Sequence, residues 1–154
     1  MADTLGIFRR LARLPGGTWL FSRMVVRKAP YFGTIRPHVR TLEPFHAEVV
    51  LPKRRAVENH IGTVHVIAAV NGLEAAMGLL AEASCPRGMR WIPKGMELAY
   101  VAKATSDLLC VADSDPADWQ QPGDVPVRVR SIRTDGTVTI EGTITVYLSE
   151  KQPR

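Results

Sequence analysis

The feature that most constrains the fold is a segment of about 20 residues, Val64 to Ala83, that is apolar on nearly all sides of a helix. Its strongly polar side chains are confined to His65, Asn71, Glu74 and Glu82. The segment is just long enough to cross a bilayer, but a carboxylate lies in its middle and two glycines interrupt it. We therefore expect a helix enclosed by a sheet, with small residues such as Gly72 allowing the sheet to approach closely, and no stable membrane insertion.

The C-terminal third of the chain predicts a β-hairpin. Apolar and polar side chains alternate in residues 124–134 and again in residues 137–149, as they do in strands with one buried face. Asp135-Gly136 lies between the two runs, and this dipeptide readily adopts the positive φ angles of a tight turn. The two strands are expected to pair antiparallel.

Further strand candidates lie upstream of this hairpin. Residues 96–103 and 108–112 are separated by a turn-prone stretch, and residues 38–51 are expected to form two short strands with a break at Pro44. Consecutive strands without intervening helices favour an antiparallel sheet over a βαβ arrangement. The predicted fold class is α+β, with an antiparallel sheet of five to six strands wrapped around the long central helix.

The N-terminal region predicts helices. An amphipathic helix ending at Pro15 is indicated by apolar residues at helical spacing, namely Leu5, Phe8, Leu11 and Leu14. A second short helix is expected over residues 19–26. We expect a single domain over residues 1–154, with residues 1–35 as a helical extension and 36–150 as the core. Packing of the first helix on its own domain is the main expectation, and its basic character leaves a role at a membrane surface as an alternative.

The charge of the chain invites a nucleic-acid interpretation, since the formal net charge is +5 and the isoelectric point is near 9.6. The basic residues are expected to be scattered, with Lys53-Arg54-Arg55 as the nearest approach to a cluster, and no zinc-finger or RNP-like pattern accompanies them. We therefore expect no nucleic-acid partner. A basic rim also suits an anionic substrate.

The cysteines indicate a reducing compartment. Cys85 and Cys110 lie far apart without a C-x-x-C pattern, so neither a disulfide framework nor a zinc site is expected. The N-terminus has no continuous apolar stretch of the signal-peptide type. A cytoplasmic protein without metal or organic cofactor is the expectation.

The candidate site begins with the run Asn59-His60-Ile61-Gly62-Thr63-Val64-His65. A carboxylate such as Glu74 is costly to bury in an apolar helix unless it is paired or hydrogen-bonded, because desolvation opposes its ionised form. His65 and Glu74 lie nine positions, about two and a half turns, apart and so project from opposite faces of one helix. A two-fold partner could bring them together in a composite site. Backbone N–H groups around His65 and Val66 would supply donors for an oxyanion.

This pattern resembles the hotdog superfamily of acyl-CoA thioesterases, in particular its phenylacetate-pathway-type branch. In that branch an Asn, a Gly and a His-Gly-Gly open the central helix, and an acidic residue follows about two turns later; Asn59, Gly62, His65 and Glu74 fall on those positions. Residues 98–104 are similar to the strand that follows the helix. The N-terminal extension resembles that of a poorly characterised hotdog subgroup.

The resemblance implies a hotdog fold and hydrolysis of acyl-CoA or a related acyl thioester by a homodimer or a dimer of dimers. Glu74 is then the nucleophile or general base, Asn59 orients the nucleophile or the attacking water, and His65 is the third catalytic candidate. The expected substrate contacts are Gly62, Val66, Arg54, Arg55, Lys94 and Lys103, the basic residues as phosphate contacts.

Two alternatives use the same fold. Val66 and Ile67 stand where the branch has two glycines, which is consistent with a non-catalytic protein that binds acyl thioesters or fatty acyl groups. Dehydration of a hydroxyacyl thioester would instead use His65 and Glu74 as acid and base.

Overall fold

The computed structural model describes residues 3–151, and within that range the chain forms three α-helices, six β-strands and three short 3₁₀ helices. The α-helices are α1 (Thr4–Leu11), α2 (Gly17–Lys28) and α3 (Val66–Ser84). The strands are β1 (His38–Glu43), β2 (His46–Leu51), β3 (Met89–Tyr100), β4 (Leu108–Asp113), β5 (Gly123–Arg133) and β6 (Val138–Glu150). The 3₁₀ helices are Pro30–Ile35, Arg55–Val57 and Pro116–Trp119. The ends of the expected domain, residues 1–2 and 152–154, lie outside the described residues.

The strands form one antiparallel sheet in the order β1-β2-β4-β5-β6-β3. The predicted hairpin at Asp135-Gly136 is confirmed, with Gly136 at φ +87°. Hydrogen bonds from the Arg133 side chain and from the Thr137 N–H lower the pKa of Asp135 to about 2, so the carboxylate that holds this turn is ionised at neutral pH.

The helix α3 packs against this sheet, and its close approach depends on a glycine. A Cβ atom at Gly72 would lie 2.7 Å from Cys110 Sγ and 3.2 Å from Leu51 Cδ1, so no larger residue fits there without movement. Burial raises the pKa of the Cys110 thiol to about 12, which keeps it neutral in the core. In the described chain α3 is also the one helix long and apolar enough to cross a bilayer, and most of that apolar surface packs inside the protein. The predicted α+β sheet wrapped around a central helix is confirmed.

The N-terminal helices cover one edge of the sheet. The rings of Phe8 in α1 and Phe21 in α2 pack edge to face with centroids 5.0 Å apart. On α2, Ser22 Oγ accepts a hydrogen bond of 2.8 Å from the Val39 N–H of β1. The backbone of this outer strand is therefore partly satisfied by α2, which protects the edge from pairing with another chain.

The opposite edge, β3, differs from the prediction. The strand was expected over residues 96–103 but runs from Met89 to Tyr100. Pro93 and Gly95, two residue types that weaken strands, lie inside it. Both are tolerated since β3 pairs on one side only, with β6, and the register shifts between them. Within residues 3–151 no strand pairs with its outer edge.

We expect Gly72→Ala to lower the free energy of unfolding by about 1–3 kcal/mol, although Ala is the better helix former, because the methyl group must displace Cys110. Gly78→Ala is the matched control in the same helix, where the added Cβ would lie 3.5 Å from Trp91 Cη2 in ordinary contact. The control should leave stability unchanged or raise it by up to ~1 kcal/mol. Urea denaturation of both variants measures the difference, and equal stabilities would contradict the close approach at Gly72.

Candidate active site

The start of α3 is held by the loop that precedes it and by the segment that follows β3. His65 is the N-cap: its Nδ1 accepts a hydrogen bond of 3.1 Å from the Ile67 N–H, and its own N–H donates to the Val57 carbonyl at 2.7 Å. The Val64 N–H donates to the Ala104 carbonyl at 2.9 Å. Since Nδ1 is an acceptor, the neutral imidazole carries its proton on Nε2. The predicted helix start at Val64 is therefore two residues early, because the His65 side chain caps the helix.

The side chain of Asn59 organises the loop. Its Oδ1 accepts from the N–H groups of Ile61 and Thr63, each at 3.1 Å, and its Nδ2 donates to Thr63 Oγ1 at 2.8 Å. Gly62 completes the turn at φ +75°, a conformation that side chains with a Cβ rarely adopt. An amide nitrogen has two N–H donors, so one of them remains after the bond to Thr63.

A cavity of about 250 Å³ opens at this point, and we call it the α3 N-terminal cavity. It is lined by Asn59, His60, Thr63, Val64, His65, Val66, Ala69, Tyr100, Ala102, Lys103, Ala104, Thr139 and Ile140. Four predicted site residues thus come together: Asn59, His65, Val66 and Lys103. The N–H groups of Val66 and Ala68 have no partner inside the helix, whereas that of His65 is already bonded to Val57. The helix start therefore offers hydrogen-bond donors, reinforced by the helix dipole, to an anionic oxygen.

Glu74 lies on another part of α3, in a second cavity of about 260 Å³ that we call the Glu74 cavity. Its lining is mostly apolar and comes from the N-terminal helices, α3 and β3: Thr4, Val25, Lys28, Ala29, Phe32, Glu74, Ala75, Met77, Gly78, Leu79, Glu82, Trp91 and Pro93. The carboxylate is half-buried, and its side chain forms no hydrogen bond or ion pair with any residue between 3 and 151. The two cavities share no lining residue in the described chain.

The four basic residues expected at the substrate divide into two pairs. Arg55 is exposed beside the loop of Asn59, and Lys103 lines the α3 N-terminal cavity. The Arg54 guanidinium instead donates to the Thr34 carbonyl, and Lys94 forms an ion pair of 2.6 Å with Asp124.

Tyr100 and Thr139 are among the residues of the α3 N-terminal cavity that sequence reasoning did not assign to a site. The alternation of β6 assigned Thr139 to the solvent face, but it is buried and its Oγ1 lies 2.6 Å from Ser131 Oγ. A register shift between Ser131 and Ile132 changes the pattern there. No periodicity in the sequence marks that shift.

The comparisons with known proteins agree with this fold. A structural genomics protein of known structure is 42% identical, with a TM-score of 0.86 over 97% of this chain and 100% of its own. A Pseudomonas aeruginosa protein described as a "Probable Thioesterase" is 22% identical, with a TM-score of 0.76 over 90% of this chain and 97% of its own. A thioesterase family protein from Silicibacter pomeroyi is 18% identical, with a TM-score of 0.69 over 84% and 96%.

No curated protein matches the chain. The structural likenesses confirm the hotdog fold that the resemblance implied. A family model described as "Domain of unknown function (DUF4442)" matches residues 17–148. The chain therefore belongs to the DUF4442 family and has the hotdog fold of thioesterase family structures.

Proposed function

We propose that this protein hydrolyses acyl thioesters, with acyl-CoA as the substrate class, at composite sites between two copies of the chain. The main support is the position of β3, whose first half contributes Trp91 and Pro93 to the Glu74 cavity and whose last residue, Tyr100, lines the α3 N-terminal cavity. The thioesterase names of the structural neighbours agree with this proposal.

The dimer in this proposal forms through the free edge of β3. The strand is 12 residues long, and Ile92, Met96 and Tyr100 are exposed on it. A long unpaired edge strand with exposed apolar side chains favours pairing with a second strand. In an antiparallel two-fold pairing, the start of one β3 lies opposite the end of the other. The Glu74 cavity of one subunit then adjoins the α3 N-terminal cavity of its partner.

The chemistry of such a site follows from its donors and its carboxylate. The thioester oxygen accepts from the N–H groups of Val66 and Ala68, and the free amide N–H of Asn59 orients the carbonyl or the attacking water. The partner's Glu74 takes a proton from that water as general base; the water oxygen bonds to the carbonyl carbon, the C–S bond breaks, and the proton passes to the thiolate. Direct attack by Glu74 on the carbonyl is the covalent variant of the same step.

The remaining contacts complete the site. His65 presents its Nε2–H to the cavity, and Gly62 and Val66 border the thioester. The apolar Glu74 cavity holds the acyl chain. Arg55 and Lys103 are placed to contact the phosphates of coenzyme A. Arg54 and Lys94, also expected there from the sequence, donate to the Thr34 carbonyl and to Asp124 and would have to exchange these partners for a phosphate.

The assembly in this proposal is a homodimer or a dimer of dimers, in the cytoplasm. Both cysteines, Cys85 and Cys110, are free thiols, as in proteins of reducing compartments. The proposed chemistry uses no metal or organic cofactor.

We expect Glu74→Gln to lower kcat for acyl-CoA hydrolysis by at least ~100-fold, because the neutral amide can neither accept the proton nor attack the carbonyl. Glu82→Gln is the matched control: it lies on the same helix, lines the same cavity and loses the same charge. Its activity should stay within a few-fold of wild type. The assay is thiol release from short, medium, long and aromatic acyl-CoAs, with thermal unfolding to confirm that both variants fold.

Retained activity in Glu74→Gln would exclude the carboxylate from the chemistry. Wild-type protein that binds acyl-CoA but releases no thiol would favour the non-catalytic binding protein, which is the function that the β-branched Val66 beside the thioester supports. Hydration of an enoyl-CoA without thiol release would favour the dehydratase.

The composite site predicts complementation between two inactive variants. Asn59→Asp keeps the acceptor oxygens for Ile61 and Thr63 but removes the amide donor, so it should be folded and impaired. Mixed with Glu74→Gln under conditions that exchange subunits, half of the dimers become heterodimers with one intact site. About one quarter of wild-type activity should return. No recovery, with exchange verified by mass spectrometry, would place both residues in the site of one subunit.

A further inference from the structure

The basic residues of the chain are not scattered as the sequence interpretation expected. Residues 4–42 contain no Asp or Glu, whereas all 15 acidic residues of the chain lie outside this range. Eight of the 20 Lys and Arg lie within it: Arg9, Arg10, Arg13, Arg23, Arg27, Lys28, Arg36 and Arg40. Residues 4–42, from α1 to the fifth residue of β1, are therefore a region of one sign of charge, and the rest of the chain is on balance acidic.

Large apolar side chains are exposed in the same region. They are Leu14, Trp19, Leu20, Met24 and Tyr31, of which Trp19 is 61% and Tyr31 68% exposed. Exposed apolar side chains normally occur singly on a protein surface. A group of them beside basic residues marks an interaction surface.

On α2 the two kinds of residue share one face. Positions four apart lie above one another on a helix, which gives two adjacent rows. The first row is Trp19, Arg23 and Arg27, and the second is Leu20, Met24 and Lys28; all six side chains are exposed. We call these six residues the α2 face. Its apolar residues lie towards the start of the helix, at 19, 20 and 24, and its basic residues towards the end, at 23, 27 and 28.

We propose that the α2 face docks reversibly on the surface of a bilayer that contains anionic lipids. A helix with Trp and Leu beside Arg and Lys lies in the plane of the membrane interface, with its apolar side chains in the headgroup region and its cations on the lipid phosphates. Trp19, and Tyr31 in the 3₁₀ helix that follows α2, are residue types that favour this depth.

The structure supports peripheral docking of a folded α2. The helix is tied to the body of the protein by Phe21, which packs on Phe8, and by Ser22, which binds the backbone of β1. These residues face away from the α2 face and remain in place when it contacts lipid. The helix has 12 residues, too few to cross a bilayer.

Charge complementarity selects this occupant over a second copy of the chain. A two-fold contact through the α2 face would place the same basic side chains against one another, which costs free energy. An anionic lipid surface attracts them instead. Burial of Leu20 and Met24 among lipids is favourable, whereas contact with the phosphates of a nucleic acid buries no apolar surface. The apolar residues therefore favour a bilayer over a nucleic acid.

Docking also orients the Glu74 cavity. Val25 and Lys28 of α2 line that cavity, so it lies beside the lipid surface when the α2 face is docked. This orientation does not depend on whether the cavity serves thioester hydrolysis. Vesicle binding is therefore a measurement independent of thiol release.

The test measures binding of the full chain to vesicles of phosphatidylcholine alone and of phosphatidylcholine with roughly 30% phosphatidylserine at about 0.1 M salt. We expect binding to the anionic vesicles only. Arg23→Glu/Arg27→Glu should weaken vesicle binding by at least ~25-fold, because the loss of each basic residue lowers the affinity roughly fivefold. Arg87→Glu/Arg128→Glu is the matched control, since it makes the same change in net charge at exposed positions outside the region. It should bind close to wild type.

A second pair tests the apolar half of the α2 face. Leu20→Ser/Met24→Ser should weaken vesicle binding by about tenfold with an unchanged melting curve. Absence of wild-type binding to the anionic vesicles would overturn the proposal, as would equal losses in the two charge-reversal variants. So would a fall in oligomeric state of Leu20→Ser/Met24→Ser in sedimentation velocity without a loss of vesicle binding, since the α2 face would then be a subunit contact.

Discussion

The close packing of the sheet on α3 is the contact on which the rest of the structure depends. At Gly72 the helix has no side chain, and the sulfur of Cys110 and the side chain of Leu51 occupy that space. Because a close-packed interior tolerates little change in volume, this contact fixes the depth at which α3 lies in the sheet. The depth in turn places the start of α3 against the loop of Asn59 and the strand end at Tyr100. The geometry of the α3 N-terminal cavity is thus a consequence of packing in the middle of the helix.

One edge strand of the sheet is covered and the other is not, and this difference relates the fold to its proposed function. The β1 edge is covered by α2, with Ser22 binding its backbone. The β3 edge is longer and uncovered in the described chain. An edge that carries residues of one cavity at each end is suited to join two half-sites when it pairs with its own copy. The helices that close the first edge are also those that carry the basic and apolar surface proposed to contact lipid, so each edge is assigned a role beyond stability in one of the two proposals.

The separation of Glu74 from His65 gives the two cavities different characters. The α3 N-terminal cavity combines an apolar lining with the side chains of Asn59 and His65 and the backbone donors of the helix start, which suit a carbonyl that becomes an oxyanion. The Glu74 cavity is mostly apolar and contains a half-buried carboxylate; Lys28 lines the same cavity, but no described residue forms an ion pair with Glu74. A substrate with a polar thioester and an apolar acyl chain has the same two parts.

The sequence by itself determined the elements whose signals are local. The period of α3, the alternation of the last two strands and the turn at Asp135-Gly136 predicted the fold class, since each depends on neighbours within a few positions. The loop from Asn59 to His65 was identified by its residue types, and the helical period already separated His65 from Glu74. Only the tertiary structure decided the full length of β3, the inward position of Thr139 and the grouping of residues into cavities. These depend on pairing between distant segments, which local periodicity does not encode.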